Sequence, residues 1–121
     1  MKWLYTLVIG AAVLVLAYDA ARAQEAPRRW TVEDVLLRLE TASPLARCIV
    51  KVETGGTYNP YAVGDHGTSL GPTQLHSPGK RDDFYAQEYT DPYSPQESID
   101  FLEAQIAAGN GPAWSAYWWC V

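Results

Sequence analysis

The run from Ser43 to Gly56, SPLARCIVKVETGG, does most to constrain what this chain can fold into. Ser43 is an N-cap residue, and Pro44 suits the first helical position, where its missing N–H is not needed. Leu45, Cys48, Ile49 and Val52 recur at helical spacing, and Gly55 and Gly56 then stop the helix. At 100° per residue the four apolar positions share one face, and Glu53 falls at its edge, one turn beyond Ile49 and Val50. The spacing therefore predicts a half-buried carboxylate at the C-terminal end of a helix. Apolar surroundings and the negative end of the helix dipole both favour its protonated form, which is what a general acid requires. Taken alone, Glu53 also reads as an ordinary last-turn surface glutamate.

Three ordered blocks follow: Thr54-Gly55-Gly56, then Asn59-Pro60-Tyr61-Ala62-Val63-Gly64, then Ser69-Leu70-Gly71-Pro72-Thr73-Gln74-Leu75. With these blocks behind Glu53, the chain resembles the soluble lytic transglycosylases of the lysozyme-like superfamily. In that family a helix ends in Glu-Ser-Gly, an Asn-Pro-x-Ala-Val loop follows, and a Gly-Leu-Met-Gln-Leu turn closes the cleft. Thr54 stands where the family usually has Ser, which keeps a hydroxyl beside the acid, whereas Pro72 and Thr73 replace Leu and Met. Further on, Asp91-Pro92 with Ser98-Ile99 and Phe101-Leu102 fits the family's next helix. The family's Ala-Tyr-Asn-Ala-Gly motif is matched only by Ala116-Tyr117, after which come Trp118, Trp119 and Cys120. Small disulfide-bridged relatives, such as the resuscitation-promoting factors, give another partial likeness.

The resemblance implies a mostly α, small lysozyme-like domain that cleaves the MurNAc-GlcNAc β-1,4 bond of peptidoglycan, with Glu53 as the single acid and base and 1,6-anhydro-MurNAc as product. It implies no metal and no organic cofactor. Gln74 would line the cleft, and the active-site tyrosine of the family would correspond to Tyr117. Thr54 and Tyr61 join them as candidate substrate-binding residues. Tyr58 and Tyr61 suit stacking on sugar rings or packing under the loop. Asp65 is the candidate second carboxylate of a lysozyme-type hydrolase, or else a support for the Gly64–Gly67 turn. His66 and His76 read as loop-supporting or solvent-facing. A reading from another class is a wall-binding or assembly protein that kept the fold and lost catalysis, and phage or conjugation machinery is a further setting for a wall-cutting enzyme.

At the other end of the chain, Lys2 precedes an apolar run from Trp3 to Tyr18, and Ala21-Arg22-Ala23 supplies the small residues of a cleavage site. Residues 1–23 read as a secretory signal peptide with a mature start at Gln24, which places the protein outside the cytosol, secreted or periplasmic. The run is shorter than the roughly 20 residues that span a bilayer, so no stable membrane span is expected after cleavage. Residues 24–121 suffice for one compact domain, expected to be monomeric. Cys48 and Cys120 are the only cysteines and are expected to pair in an oxidising compartment. A zinc site has no support, because His66 and His76 lack ligand spacing. The formal charge of −5, with basic residues scattered as singles or pairs such as Lys80-Arg81, excludes nucleic acid as a partner.

The remaining elements follow from local signals. Thr31-Val32-Glu33-Asp34 forms a capping-box variant for a helix with the stripe Val32, Val35, Leu36 and Leu39, expected to pack against the next helix as a corner or hairpin. Glycine and proline are dense from Thr57 to Gly79, which predicts a loop over the cleft without long regular structure. Lys80 to Tyr89 reads as a short helix ended by Asp91-Pro92. Ser94-Pro95-Gln96-Glu97 is a full capping box for a helix to Ala108, with Gly109 as its stop. Trp114, Trp118 and Trp119 suit the cleft floor or a sugar subsite, but packing around the Cys48–Cys120 bridge is the expectation.

Overall fold

Four α-helices account for much of the chain that the computed structural model describes, residues 29–121; the expected signal peptide and its cleavage point lie outside the described residues. Helix α1 (Val32–Leu39) opens on both halves of the capping box, since Thr31 Oγ1 accepts the Asp34 N–H at 3.2 Å and the Asp34 carboxylate accepts the Thr31 N–H at 2.9 Å. Helix α2 (Pro44–Glu53) is capped by Ser43, whose hydroxyl accepts from the Ala46 N–H at 3.2 Å and donates to Glu103 at 2.6 Å. Helix α3 spans Lys80–Ala86 and α4 spans Pro95–Ala107, with Gly109 at φ +84° turning the chain away from its end.

The box at α4 is only half formed. Ser94 accepts from the Glu97 N–H at 3.2 Å, but the Ser94 N–H is already bonded to the Asp91 carbonyl at 3.1 Å. The Glu97 carboxylate instead accepts the Thr90 and Asp91 N–H groups at 3.0 and 3.1 Å. Asp91 passes the bracing on, accepting from Tyr93 N–H and from the Trp30 indole, each at 2.9 Å.

Between α2 and α3 the chain is not all loop. Strands β1 (Val63–Gly64), β2 (Ser69–Leu70) and β3 (Leu75–His76) form an antiparallel sheet in that order, pairing Val63 with Leu70 and Leu70 with Leu75. Each strand has two residues, too few to leave an alternating pattern in the sequence.

The core is built on α4. Helices α1 and α2 each pack on it rather than forming a hairpin with one another, and α2 also packs on the C-terminal 3-10 turn Ser115–Trp119. On α2 the buried positions are Ala46, Ile49 and Val50, while Val52 is 40% exposed. Positions 46, 49, 50 and 53 are one i, i+3, i+4, i+7 stripe, so Glu53 continues the inward face instead of lying at its edge. Leu36 of α1 is likewise outward, leaving Val35 and Leu39 to fill the core. Phe84, Phe101 and Trp114 are buried in contact, with ring centroids 5.5 and 6.1 Å apart, and Tyr89 stacks on Phe84 at 5.0 Å.

Cys48 and Cys120 are joined, with Cα atoms 5.8 Å apart. Of the tryptophans expected around this bridge, only Trp114 is buried; Trp118 and Trp119 are 67% and 81% exposed. Their segment is a 3-10 helix, in which side chains three apart eclipse, so Trp118 follows exposed Ser115 outward while Tyr117 follows the bridge side of Cys120.

The turn before β3 docks on the turn before α4. Gly71 has φ +84°, its N–H donates to the Ala62 carbonyl at 2.8 Å, and a Cβ there would run into the Pro92 carbonyl oxygen. Gly71→Ala is therefore expected to cost about 2–3 kcal/mol, from backbone strain and from a clash that only backbone movement relieves. Denaturant unfolding measures it, and a loss below about 0.5 kcal/mol would show that the two turns are not pressed together.

Candidate active site

Because α2 turns the 46-49-50-53 stripe inward and Gly55 and Gly56 end the helix immediately afterwards, Glu53 is half-buried where the core stops and a cavity begins. The cavity is about 440 Å³ and is lined by Glu53, Asp65, Gln74, His76, Lys80 and Ser115, among others. Burial pushes the Glu53 carboxyl above its ordinary pKa, the Lys80 ammonium and a backbone hydrogen bond from Ala116 pull it back, and the Asp65 charge adds a smaller upward push.

Gln74 lines the same cavity. Its backbone is left-handed, φ +50°, and its side-chain amide donates to the Ala62 and Gly71 carbonyls, each at 2.9 Å, so it ties the segment before β1 to the turn before β3. Gly64 leaves room for it, since a Cβ there would meet the Gln74 side-chain oxygen. Asp65 and His66 are also left-handed, at φ +50° and +56°, the conformation that lets the chain turn back between β1 and β2. The Asp65 carboxylate is exposed, accepts from Ser69 Oγ at 2.5 Å and lies 3.6 Å from His76 Nδ1.

Of the residues singled out in the sequence, the cavity brings together Glu53, Asp65, His66, Gln74 and His76, and not Thr54, Tyr61 or Tyr117. Thr54 is buried, its hydroxyl donating to the Val50 carbonyl at 2.8 Å and accepting the Tyr58 N–H at 3.0 Å, which fastens the exit of α2 to the following loop. Tyr61 sits against Tyr93, centroids 5.3 Å apart, and its hydroxyl accepts the Trp30 N–H at 2.8 Å. Tyr117 lies against Gly111, where an added Cβ would stand 3.1 Å from its ring, and edge-on to Trp118.

Lys80 is a cavity residue that sequence reasoning missed, as are Thr68, Ala113 and Ser115. Its Nζ lies 4.6 Å from the Trp114 ring centroid, and that ring is fixed by an indole N–H bond to the Thr73 carbonyl at 2.8 Å. Burial lowers the Lys80 pKa, and the negative charges of Glu53 and Asp65 oppose that shift. Twenty-seven positions separate it from Glu53, and its one sequence signal is that it opens the short charged helix after the Gly/Pro-rich stretch.

Among the described residues no group of three His, Cys, Asp or Glu side chains is placed to hold a metal, and no helix is long and apolar enough to cross a membrane. The chemistry available from these side chains is proton donation by a semi-buried acid beside a cation, with a second carboxylate on the same cavity. Compared with protein-family models, with curated proteins and with solved structures, the chain matches none.

Proposed function

We propose that this chain is a lytic transglycosylase of lysozyme-like fold that cleaves the MurNAc-GlcNAc β-1,4 bond of peptidoglycan outside the cytosol, with Glu53 as its one acid and base. The observation that carries the reading is the burial of Glu53 on the inward stripe of α2 with its carboxyl shifted towards the protonated form at the wall of an open cavity. The substrate class rests on the likeness of the Thr54–Gly56, Asn59–Gly64 and Ser69–Leu75 blocks to that family, and the small sheet and glycine-rich turns would form the loop side of the cleft.

In this mechanism protonated Glu53 gives its proton to the glycosidic oxygen as the bond from the muramic anomeric carbon breaks and an oxocarbenium-like state forms. The carboxylate left behind then takes the proton of the muramic 6-hydroxyl, whose oxygen bonds to its own anomeric carbon. The products are a free GlcNAc 4-hydroxyl and a 1,6-anhydro-MurNAc end. No water is consumed, and Glu53 returns to its starting form.

A second reading has one observation in its favour: Asp65 lines the same cavity and is exposed, as the partner carboxylate of a lysozyme-type hydrolase would be. A wall-binding protein without catalysis is the weaker reading, because a binder gains nothing from a carboxyl held out of water. Mass spectrometry of peptidoglycan incubated with the oxidised protein separates the three. Anhydro-muramyl ends, lighter by one water than hydrolysis products, are the expected result; reducing ends would transfer the assignment to a hydrolase, and intact glycan to a binding protein.

A further inference from the structure

We propose that His76 is a glycan-binding residue whose imidazole, fixed in one tautomer by Ser69 and Thr68, offers the lone pair of Nε2 to a hydroxyl or amide N–H of the sugar chain. This deepens the function proposed above and rests on it.

The argument is a count of protons. The strand register sets Ser69 directly across from His76, and the ring nitrogen Nδ1 lies 3.0 Å from Ser69 Oγ and 3.2 Å from Thr68 Oγ1. Each hydroxyl has a single proton to give, and each has a shorter contact with an oxygen of Asp65 that carries none. Ser69 meets the carboxylate at 2.5 Å, and Thr68 meets the backbone carbonyl at 2.7 Å. Both protons are therefore committed to Asp65, and the two hydroxyl oxygens are left with lone pairs for Nδ1. Nδ1 has to supply the hydrogen, and the Asp65 carboxylate 3.6 Å away favours a donor there as well. A neutral imidazole with its proton on Nδ1 has a bare Nε2.

Nothing in the protein uses that lone pair. Among the described residues no hydrogen bond reaches Nε2, and Thr73 Oγ1 is the one buried side-chain polar atom without a partner, so Nε2 is accessible from outside. His76 lines the cavity of Glu53. On the same cavity the Thr68 and Ser69 protons are spent within the protein, and so are the amide protons of Gln74, given to the Ala62 and Gly71 carbonyls. The strands and their turns thus meet a ligand with acceptors, His76 Nε2 and the exposed Asp65 carboxylate. Sugar rings with their hydroxyl and acetamido groups are dense in neutral donors, and a neutral acceptor pairs with these without stripping water from a charge.

The test begins on the oxidised wild type without ligand. A long-range ¹⁵N–¹H correlation spectrum, taken where the rings are neutral, is expected to show His76 protonated on Nδ1 and bare on Nε2. The chain has two histidines, so the spectrum of His76→Phe assigns the rings. Ligand is then added to the Glu53→Gln protein, which keeps it uncut: a soluble tetrasaccharide of alternating GlcNAc and MurNAc with its stem peptides attached. The Nε2 resonance should move towards that of a protonated nitrogen while Nδ1 stays in place. By calorimetry, adding His76→Phe should weaken binding about five- to tenfold, the equivalent of one hydrogen bond. A free ring protonated on Nε2, an unmoved Nε2 while Lys80 resonances shift, or unchanged affinity in His76→Phe would overturn the proposal and leave the enzymatic reading standing. The expected Nε2 shift without peptidoglycan cleavage by the wild type would do the reverse, and no binding at all would overturn both.

Discussion

Glu53→Gln is expected to lower the release of soluble muropeptides by about 10²- to 10⁴-fold while leaving the protein folded. The amide keeps the shape of the side chain and can neither donate the proton at the glycosidic oxygen nor take one from the muramic hydroxyl. The stability side of the same substitution has a definite sign. Burial raises the Glu53 pKa, so the folded chain binds that proton more tightly than the unfolded chain does, and ionising the group costs stability. That cost is absent below the ordinary glutamate pKa and complete above the folded value; it is already net of the attraction for Lys80, and at neutral pH the amide removes it. The melting temperature of the variant should therefore not fall, and any rise should stay within the roughly 4–8 °C that 1 kcal/mol represents in a domain this small. In the wild type, cleavage should decline as pH rises through the folded pKa of Glu53, because in the proposed mechanism the protonated form starts the reaction. A variant that melts normally and still cleaves within tenfold of the wild-type rate would remove Glu53 from the role of acid.

How much of this was legible beforehand depends on how local each signal is. Helices α1, α2 and α4 start and stop where Thr31, Ser43-Pro44, Ser94-Pro95, Gly55 and Gly109 say they should, because capping is settled within four residues of chain. The rotation of α2 was not legible. Leu45, Cys48, Ile49 and Val52 and the alternative set Ala46, Ile49 and Val50 are both helical stripes, and only the packing on α4 and on the C-terminal turn selects the second. That selection moves Glu53 from the edge of the apolar face into it. The sheet was invisible because two-residue strands have no period, and Lys80 because its meeting with Glu53 depends on how the ladder and α3 return across α2. Of the candidate residues, Glu53 and Gln74 were singled out through the likeness of their motifs to a family and both line the cavity, whereas Thr54 and Tyr61 brace the turns around it. The exposure of Trp118 ran against its hydrophobicity for a similar reason: a 3-10 turn of five residues has an outward side, and composition does not say which residues fall on it; Trp119, three positions after buried Ala116, is exposed without that account.

Removing the Cys48–Cys120 bridge is expected to be the most damaging change that leaves the cavity residues untouched. The bridge closes a loop of sequence separation 72, for which the chain-entropy model gives about 4 kcal/mol, most of what a domain this size has in reserve. What it ties together bears on Glu53 directly. Cys48 lies on α2 one and a half turns before the acid, and Cys120 ends the 3-10 segment whose Ala116 bonds to the Glu53 carboxylate and whose Ser115 lines the cavity. Packing offers a partial substitute, since Trp114 and Ala116 are buried and the Trp114 indole is bonded to Thr73. That anchorage lies upstream of the bridge and does nothing to shorten the unfolded chain, which is where the bridge has most of its effect. The paired Cys48→Ser, Cys120→Ser variant should therefore unfold at a markedly lower urea concentration than the oxidised wild type, by about 4 kcal/mol on extrapolation, and thiol reduction of the wild type should reproduce the shift. A difference under 1 kcal/mol would mean that the apolar cluster of Phe84, Phe101 and Trp114 holds the tail without help, and that Glu53 keeps its Ala116 hydrogen bond when the bridge is open. The two cases also part in activity: a stabilising bridge predicts that the reduced protein loses cleavage as it unfolds on warming, and a redundant one predicts equal cleavage by both forms at every temperature below the melting point of the oxidised chain.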